Sequence, residues 1–374
     1  MIAFRVSDRR EAARVGRLDT AHGIVDTPAF MPVGTVGAVK GVTPRDLQEC
    51  GAQIVLSNVY HLLLRPGPET IRALGGLHRF MGWPGPLLTD SGGYQVFSLA
   101  ALAKVSDDGV VFRSHVDGAR HLLRPEDVVD LQITLGVDVG MVLDECVPFS
   151  ASRSATAAAV VRTSAWAARS LSARGDRSIA LFGIVQGAAD LELRERSAGE
   201  LTAIGFDGYA VGGLSVGEDP QVTREVAAHA ARLLPPGQPR YLMGVGTPVD
   251  LLDFVGMGYD LFDCVLPTRN GRNGWLFTRN GRIAVRNARY ARDPRPVDED
   301  CACYTCGHFS RGYLRHLTVT GEMLAGVLNS IHNVHFYLDL MRSARAAIRS
   351  GTLPALRSEI AAAYQRHTGT VDVH

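Results

Sequence analysis

Acidic side chains at the ends of short apolar runs, and one cluster of cysteines, are the residues whose types and spacing can do chemistry in this chain. Asp263 lies in the stretch Gly258-Tyr-Asp-Leu-Phe-Asp-Cys-Val-Leu-Pro-Thr-Arg-Asn-Gly-Arg-Asn-Gly-Trp275. Leu261, Phe262, Val265 and Leu266 predict a buried strand that Pro267 ends. A carboxylate buried there is costly unless a partner or a reaction uses it. Thr268, Arg269, Asn270, Gly271 and Arg272 follow, too polar and glycine-rich for core, and predict an exposed loop. A buried acid leading into a basic loop predicts a reactive carboxylate beside a polyanion. Taken alone, the same aspartate reads more readily as a loop cap, and the rest of the sequence moves the balance.

Other apolar runs end the same way. Asp90-Ser91-Gly92-Gly93-Tyr94-Gln-Val-Phe97 follows one, Asp144-Glu-Cys146 another and Gln186-Gly187 a third. Val211-Gly-Gly213-Leu214-Ser-Val-Gly-Glu218 and Met243-Gly244-Val245-Gly246 close two more. Three aspartates, a glutamine and several glycines converging on one mouth predict a binding pocket with paired carboxylates.

The cysteines point to a metal. Three of the six lie in Cys301-Ala-Cys303-Tyr-Thr-Cys306, a spacing that reads as metal binding in a cytosolic protein. Three thiolates need a fourth ligand to close a tetrahedral zinc shell. His332, in Ser330-Ile-His-Asn333, is the best candidate and is expected at the start of the last helix; His308 is too near in sequence. A closed Cys3His shell leaves no open position, so this zinc is expected to be structural. The alternative is three reduced thiols without metal.

These groups must be positioned by a scaffold, and 374 residues allow one large α/β domain with insertions, or two domains. Hydrophobic content of 46% and charged content of 21% are those of a soluble globular enzyme. A net charge of +1 excludes a global field for nucleic acid, so any such binding needs a local patch. No secretory segment opens the chain and no apolar run approaches the ~18 residues of a membrane helix. The expected location is therefore the cytoplasm, with no membrane partner.

Eight strands are predicted near Ala29–Val33, Gln53–Ser57, Pro86–Thr89, Gly140–Leu143, Ala180–Val185, Gly208–Val211, Tyr241–Gly244 and Asp260–Cys264. Helical patterns separate most of them; Thr43-Pro-Arg-Asp-Leu and Arg124-Pro-Glu-Asp-Val carry helix-start signatures. The alternation predicts an α/β fold, a (β/α)8 TIM barrel with an inserted zinc-binding subdomain near the C-terminus. A doubly wound sheet is the alternative, but no Gly-rich nucleotide fingerprint opens a helix. The expected division is a barrel over 1–268 with an insertion at about 91–123, an arginine-rich zinc-binding insertion over 269–332, and closing helices over 333–374. Hairpins are predicted around Asp117-Gly118 and Asn280-Gly281. Arg269 to Arg295 holds eight arginines and one acid, Asp293, which predicts a phosphate-facing patch over a solvated charged face.

The chain resembles the bacterial tRNA-guanine transglycosylases, the queuine tRNA-ribosyltransferase family, along nearly its whole length. The resemblance rests on the Asp90–Phe97 and Asp144–Cys146 motifs, Gly183-Ile-Val-Gln-Gly187, Val211-Gly-Gly-Leu214, Phe262-Asp-Cys-Val-Leu-Pro-Thr-Arg269, and the three cysteines with His332. It implies exchange of guanine at the wobble position of tRNA with a G-U-N anticodon for a 7-deazaguanine. It further implies that Asp263 is the nucleophile and Asp90 the general acid/base. Asp144, Gln186 and the backbone at Gly213 and Leu214 would read the purine edge, and Tyr94 and Met243 would sandwich its faces. Ser91, Gly92, Gly93 and Cys146 would complete that pocket. Gly244, Val245, Gly246 and Thr268 to Arg272 would meet the RNA. Cys146 and Val216 resemble the bacterial pattern, which suits the small base preQ1, and the family implies a homodimer.

Chemistry supports these roles independently. Exchanging a base without cutting the backbone requires displacement at C1′ through a covalent glycosyl-enzyme, and a second acid to move the proton. Ser57-Asn-Val-Tyr-His61 and Gly271 depart from the usual Ala-Asn-Thr-Tyr-His and alanine, outside the proposed catalytic roles. Two other readings stay open: a related deazapurine transglycosylase acting on DNA or another tRNA position, and a non-catalytic tRNA-binding subunit. Retention of both Asp90 and Asp263 speaks against the second.

Overall fold

The computed structural model describes residues 2–98 and 103–368. Residues 99–102 of the expected first insertion and 369–374 of the expected last helices lie outside the described residues. The chain opens with strands β1 (Ala3–Arg10), β2 (Ala13–Thr20) and β3 (Gly23–Thr27), an antiparallel sheet absent from the sequence reading. Then come β4 (Ala29–Met31), β5 (Val55–Ser57) and β6 (Leu87–Thr89). A second antiparallel sheet follows, β7 (Ala103–Ser106), β8 (Gly109–Arg113) and β9 (Arg120–Leu123). The remaining parallel strands are β10 (Val139–Met141), β11 (Ala180–Val185), β12 (Gly208–Val211), β13 (Arg240–Leu242) and β14 (Leu261–Asp263). A hairpin of β15 (Trp275–Thr278) and β16 (Gly281–Ala284) lies beyond them.

Eight strands form one parallel sheet in the order β4-β14-β13-β12-β11-β10-β6-β5. A parallel bridge from Val33 to Leu56 joins its edges, with Leu56 N–H donating to Pro32 O at 3.0 Å. The sheet is thus an eight-stranded barrel with helices outside, and all eight predicted strands belong to it. Strands buried on both faces read as continuous apolar runs, which is why they were visible in sequence.

The expected helix starts are present. Thr43 caps Pro44–Glu49 through a capping box with Asp46, and Pro125 opens Pro125–Leu135. Three expectations are corrected. β14 ends at Asp263, and Pro267 lies in the first turn of a helix, Leu266–Arg272, so Val265 and Leu266 leave the strand and the basic segment is not a loop. Gly271 lets that helix pack: a Cβ there would come within 2.9 Å of Ser330 N on the helix Met323–Ser350. His332 lies within this long helix and not at its start.

At the barrel end opposite the strand C-termini, three carboxylates hold neighbouring strands together. Asp138, Asp207 and Asp260 immediately precede β10, β12 and β14, and they accept from the N–H groups of Leu87, Leu181 and Arg240 at 2.9, 2.9 and 2.6 Å. Each also meets basic side chains: His22 and His78 at Asp138, Arg174 at Asp207, and Arg14 at Asp260. Arg14 and Asp260 are both fully buried and tie β2 to the barrel.

The region of the last hairpin has its own apolar cluster, including Leu276, Ile283, Val285, Tyr290, Val297, Leu314 and Leu317. Among the described residues no helix is long and apolar enough to cross a membrane.

Candidate active site and metal centre

The C-terminal strand ends surround a cleft of about 730 Å³. Asp90, Ser91, Tyr94, Asp144, Cys146, Gln186, Gly213, Leu214, Met243, Gly244, Val245, Gly246, Asp263 and Arg269 all line it. The barrel therefore brings together residues spread over most of the chain.

Asp90 and Asp263 have different surroundings. Asp90 follows β6 and is buried. It accepts from Asn58 Nδ2 at 2.6 Å, Val59 N–H at 2.9 Å and Gln95 Nε2 at 2.9 Å. Burial outweighs these bonds, and with the nearby charge of Asp263 it pushes the Asp90 carboxyl up to about 6. Asp263 Oδ1 accepts from Tyr241 Oη at 2.6 Å and Gly244 N–H at 2.8 Å. Burial raises its carboxyl as well, and these two donors oppose the rise. Among the described residues Asp263 Oδ2 accepts no hydrogen bond, so one oxygen is oriented and the other remains available.

Asp144 and Gln186 are hydrogen-bonded to each other in the cleft. Gln186 Nε2 donates to Asp144 Oδ2 at 2.6 Å and Ser91 Oγ donates to Asp144 Oδ1 at 2.8 Å. Each carboxylate oxygen retains a second lone pair and Gln186 a second N–H, so both can still face a base edge. Glycines enclose this pair. A Cβ on Gly93 would overlap Asp144, and one on Gly213 would overlap the Gln186 amide. Gly92, at φ +86, turns the chain into the short helix Gly93–Ser98 that carries Tyr94 to the cleft. The Cys146 thiol is pushed up to about 12 by burial beside Asp144 and acts as a neutral wall.

Several residues of the site received no role from the sequence. Asn58 and Gln95 orient Asp90, and Tyr241 orients Asp263. Asn58 directly follows β5, the same strand-end signal that marked the aspartates. Gly244, expected to meet RNA, gives its N–H to Asp263. Arg194 is wholly buried and donates to the carbonyls of Val185, Gly212 and Ala188 at 2.8, 2.8 and 3.0 Å. Glu218 accepts from Val216 N–H at 2.9 Å, from Thr223 Oγ1 at 2.7 Å and from Ser215 N–H, holding Ser215 at φ +57.

Of the expected RNA-facing segment, Arg269 and Arg272 are exposed on the helix after Asp263, Asn270 is half-buried, and Thr268 and Gly271 are buried. The eight arginines are less uncompensated than their sequence implies. Arg279 pairs with Asp339, Arg295 shares Asp293 with Arg311, and Arg282 lies 4.2 Å over the Trp275 ring. Asp339 is remote in sequence and the Trp275 ring is uncharged, whereas Asp293 is the one acid within the segment. Arg269, Arg272, Arg286 and Arg292 form no ion pair among the described residues.

Cys301, Cys303, Cys306 and His332 offer four ligand atoms that can hold a metal ion. Their sulfurs lie 3.7, 3.6 and 3.3 Å from His332 Nδ1. Tetrahedral zinc, with bonds of ~2.3 Å to sulfur and ~2.0 Å to nitrogen, sets such atoms about 3.5 Å apart. His332 Nε2 donates to Phe277 O at 2.7 Å, which turns the Nδ1 lone pair toward the thiolates. The residues therefore fit the ion.

A model of the family described as queuine tRNA-ribosyltransferase matches residues 8–366. The chain belongs to that family. It is 53% identical to the queuine tRNA-ribosyltransferase of Solidesulfovibrio magneticus over 355 residues, covering 94% of this chain and 95% of that one. Identity to the Nitratidesulfovibrio vulgaris protein of the same name is 53% over 363 residues, 96% of this chain and 97% of the other. The Nitrosomonas eutropha queuine tRNA-ribosyltransferase is 55% identical over 348 residues, 93% and 96% of the two chains. The match to this queuine tRNA-ribosyltransferase family spans the barrel, the cysteine cluster and most of the last helices.

Proposed function

We propose that the cleft replaces guanine at the wobble position of tRNAs with G-U-N anticodons by preQ1, through a covalent enzyme–tRNA intermediate. As a member of its family the chain is a tRNA-guanine transglycosylase, a pentosyltransferase of queuosine synthesis. The observation that carries the mechanism is the unlike pair of carboxylates: Asp263 oriented through one oxygen, and Asp90 held near a pKa of about 6.

Asp263 Oδ2 attacks C1′ and breaks the N-glycosidic bond while guanine leaves with a proton from Asp90. PreQ1 then returns a proton to Asp90, its ring nitrogen attacks C1′, and Asp263 is released. Asp144 accepts from the N1–H and exocyclic amine, and Gln186 donates to O6. Adenine would leave both unpaired. Gly213 and Leu214 contribute backbone, and Tyr94 and Met243 take the two faces of the ring. Gly244 to Gly246 and the helix carrying Thr268, Arg269, Asn270, Gly271 and Arg272 meet the RNA strand, with the arginines on its phosphates.

The cysteine cluster holds structural zinc. The three-part division at 268 and 332, a homodimer and a cytoplasmic location complete the proposal. The test is radiolabelled guanine exchange into unmodified tRNA with and without preQ1. Label entering DNA, or entering tRNA at a position other than the wobble base, would overturn the assignment.

A further inference from the structure

At the barrel end remote from the cleft, the three strand-start carboxylates each accept from a neighbouring strand but differ in their basic partners. Asp207 and Asp260 are neutralised by Arg174 and Arg14. At Asp138 two imidazoles stand where a guanidinium would. His22 Nδ1 lies 2.9 Å from Asp138 Oδ1, and His78 Nε2 lies 3.3 Å from Asp138 Oδ2. Arginine has no lone pair to give, whereas a neutral imidazole is a metal ligand.

We propose that His22, His78 and Asp138 form a second metal site that takes a divalent first-row transition ion, zinc foremost. The three ligand atoms lie within 4.8 Å of one another. Nitrogen and oxygen ligands at ~2.0–2.2 Å from zinc stand about 3.0–3.5 Å apart, close to the spacing at Asp138. His78 Nε2 is buried and near Asp138 Oδ2, yet its alignment makes no hydrogen bond. The rings of His22 and His78 stack with centroids 3.6 Å apart and nearly parallel, so the exposed His22 ring must turn for both lone pairs to meet at one ion.

Two further features complete the site. A cavity of about 130 Å³ adjoins His22 and Asp138, large enough for water to complete the coordination. His22 is partly exposed and gives an ion access, while the Asp138 side chain is 1% exposed and fixed by Leu87 N–H. The set of two imidazoles and one carboxylate suits zinc and its neighbours and is too nitrogen-rich for calcium or magnesium. Asp138 precedes β10 and Asp144 follows it, so the site and the base pocket lie at opposite ends of one strand. The ion would clamp the β2–β3 turn and the helix Gly76–Met81 to the barrel floor.

Full-length protein with zinc in its cysteine cluster is titrated with Co2+ and followed by absorbance. Wild type is expected to bind one further equivalent with weak d–d bands and no thiolate-to-cobalt charge transfer. His22→Ala and His78→Ala should each weaken that binding at least tenfold. Added Zn2+ should raise the melting temperature of wild type and leave that of His22→Ala unmoved. Guanine exchange should be unchanged in His22→Ala, which alters an exposed turn. Absence of a further equivalent in wild type overturns the proposal. So does binding undiminished in His22→Ala, or a further equivalent that carries thiolate charge transfer.

Discussion

Tyr241 Oη donates to Asp263 Oδ1 across the paired strands β13 and β14, at 2.6 Å. The tyrosine is buried and held in its protonated form by burial and by the carboxylate itself, so it remains a donor throughout the working range. It fixes one oxygen of Asp263 and thereby aims the other. In Tyr241→Phe the carboxyl loses a donor that opposed its upward shift. More of it is then protonated at a given pH, and the acidic limb of the pH–rate profile moves to higher pH. A charged hydrogen bond of about 1.5–3 kcal/mol predicts a loss of tenfold or more in guanine exchange. An unmoved acidic limb would remove Tyr241 from this role.

Asp263→Asn is expected to abolish the covalent enzyme–tRNA species and to leave tRNA binding nearly intact, because phosphate contacts dominate affinity. A denaturing gel of enzyme, tRNA and a trapping purine reads both. A covalent band in the variant would identify another nucleophile.

Asp90 predicts a pH-dependent stability. Its carboxyl keeps a proton in the folded protein up to about 6, above its value of 3.8 in the unfolded chain. The contribution favouring the fold is therefore complete below pH 3.8 and is lost as pH rises to 6. The shift corresponds to about 3 kcal/mol. Denaturant titrations should show wild-type stability falling relative to Asp90→Asn between pH 4 and 6, with a constant difference above. A difference independent of pH would refute the raised carboxyl.

Asp144→Asn places an amide donor where the base edge requires an acceptor, and it faces the donors Ser91 Oγ and Gln186 Nε2 as well. Guanine and preQ1 affinity should fall together, by about tenfold or more. Calorimetry with free preQ1 checks this, and unchanged affinity would take Asp144 out of the pocket.

Arg194 is expected to position the base-reading loop. Arg194→Met removes donors from the carbonyls of Val185 and Gly212 without changing the cleft lining, at about 1–3 kcal/mol for each buried acceptor left unpaired. The denaturant midpoint should fall, and KM for preQ1 should rise more than kcat changes. An unaltered KM would assign Arg194 to the fold alone.

The barrel and the cleft were legible because the signals were local. Eight apolar runs marked strands, and the acids, the glutamine and the glycines at the ends of six of them marked the mouth. What escaped depends on partners far away in sequence. β1, with Arg5, Asp8, Arg9 and Arg10, has no apolar run of its own and exists by pairing with β2. Pro267 reads as a strand stop, yet it lies in the first turn of the helix Leu266–Arg272, which packs against the helix Met323–Ser350. Arg279 reads as unmatched in sequence because its partner Asp339 is 60 residues away. Tyr241 and Arg194 looked like ordinary members of a strand and a helix. Their partners, a carboxylate on the next strand and carbonyls of two loops, have no sequence signature.

The glycines around Asp144 and Gln186 also bear on how the pocket can be redesigned. Gly93 and Gly213 leave no room for a single added carbon against the two reading side chains. Every substitution there displaces Asp144 or Gln186 before it can touch a new ligand, so on the proposed function these walls offer no gradual route to altered selectivity. Cys146 and Val216 also line the cleft and present side chains to it. Variation in which base is accepted should therefore accumulate at those two positions, while the glycine walls stay fixed.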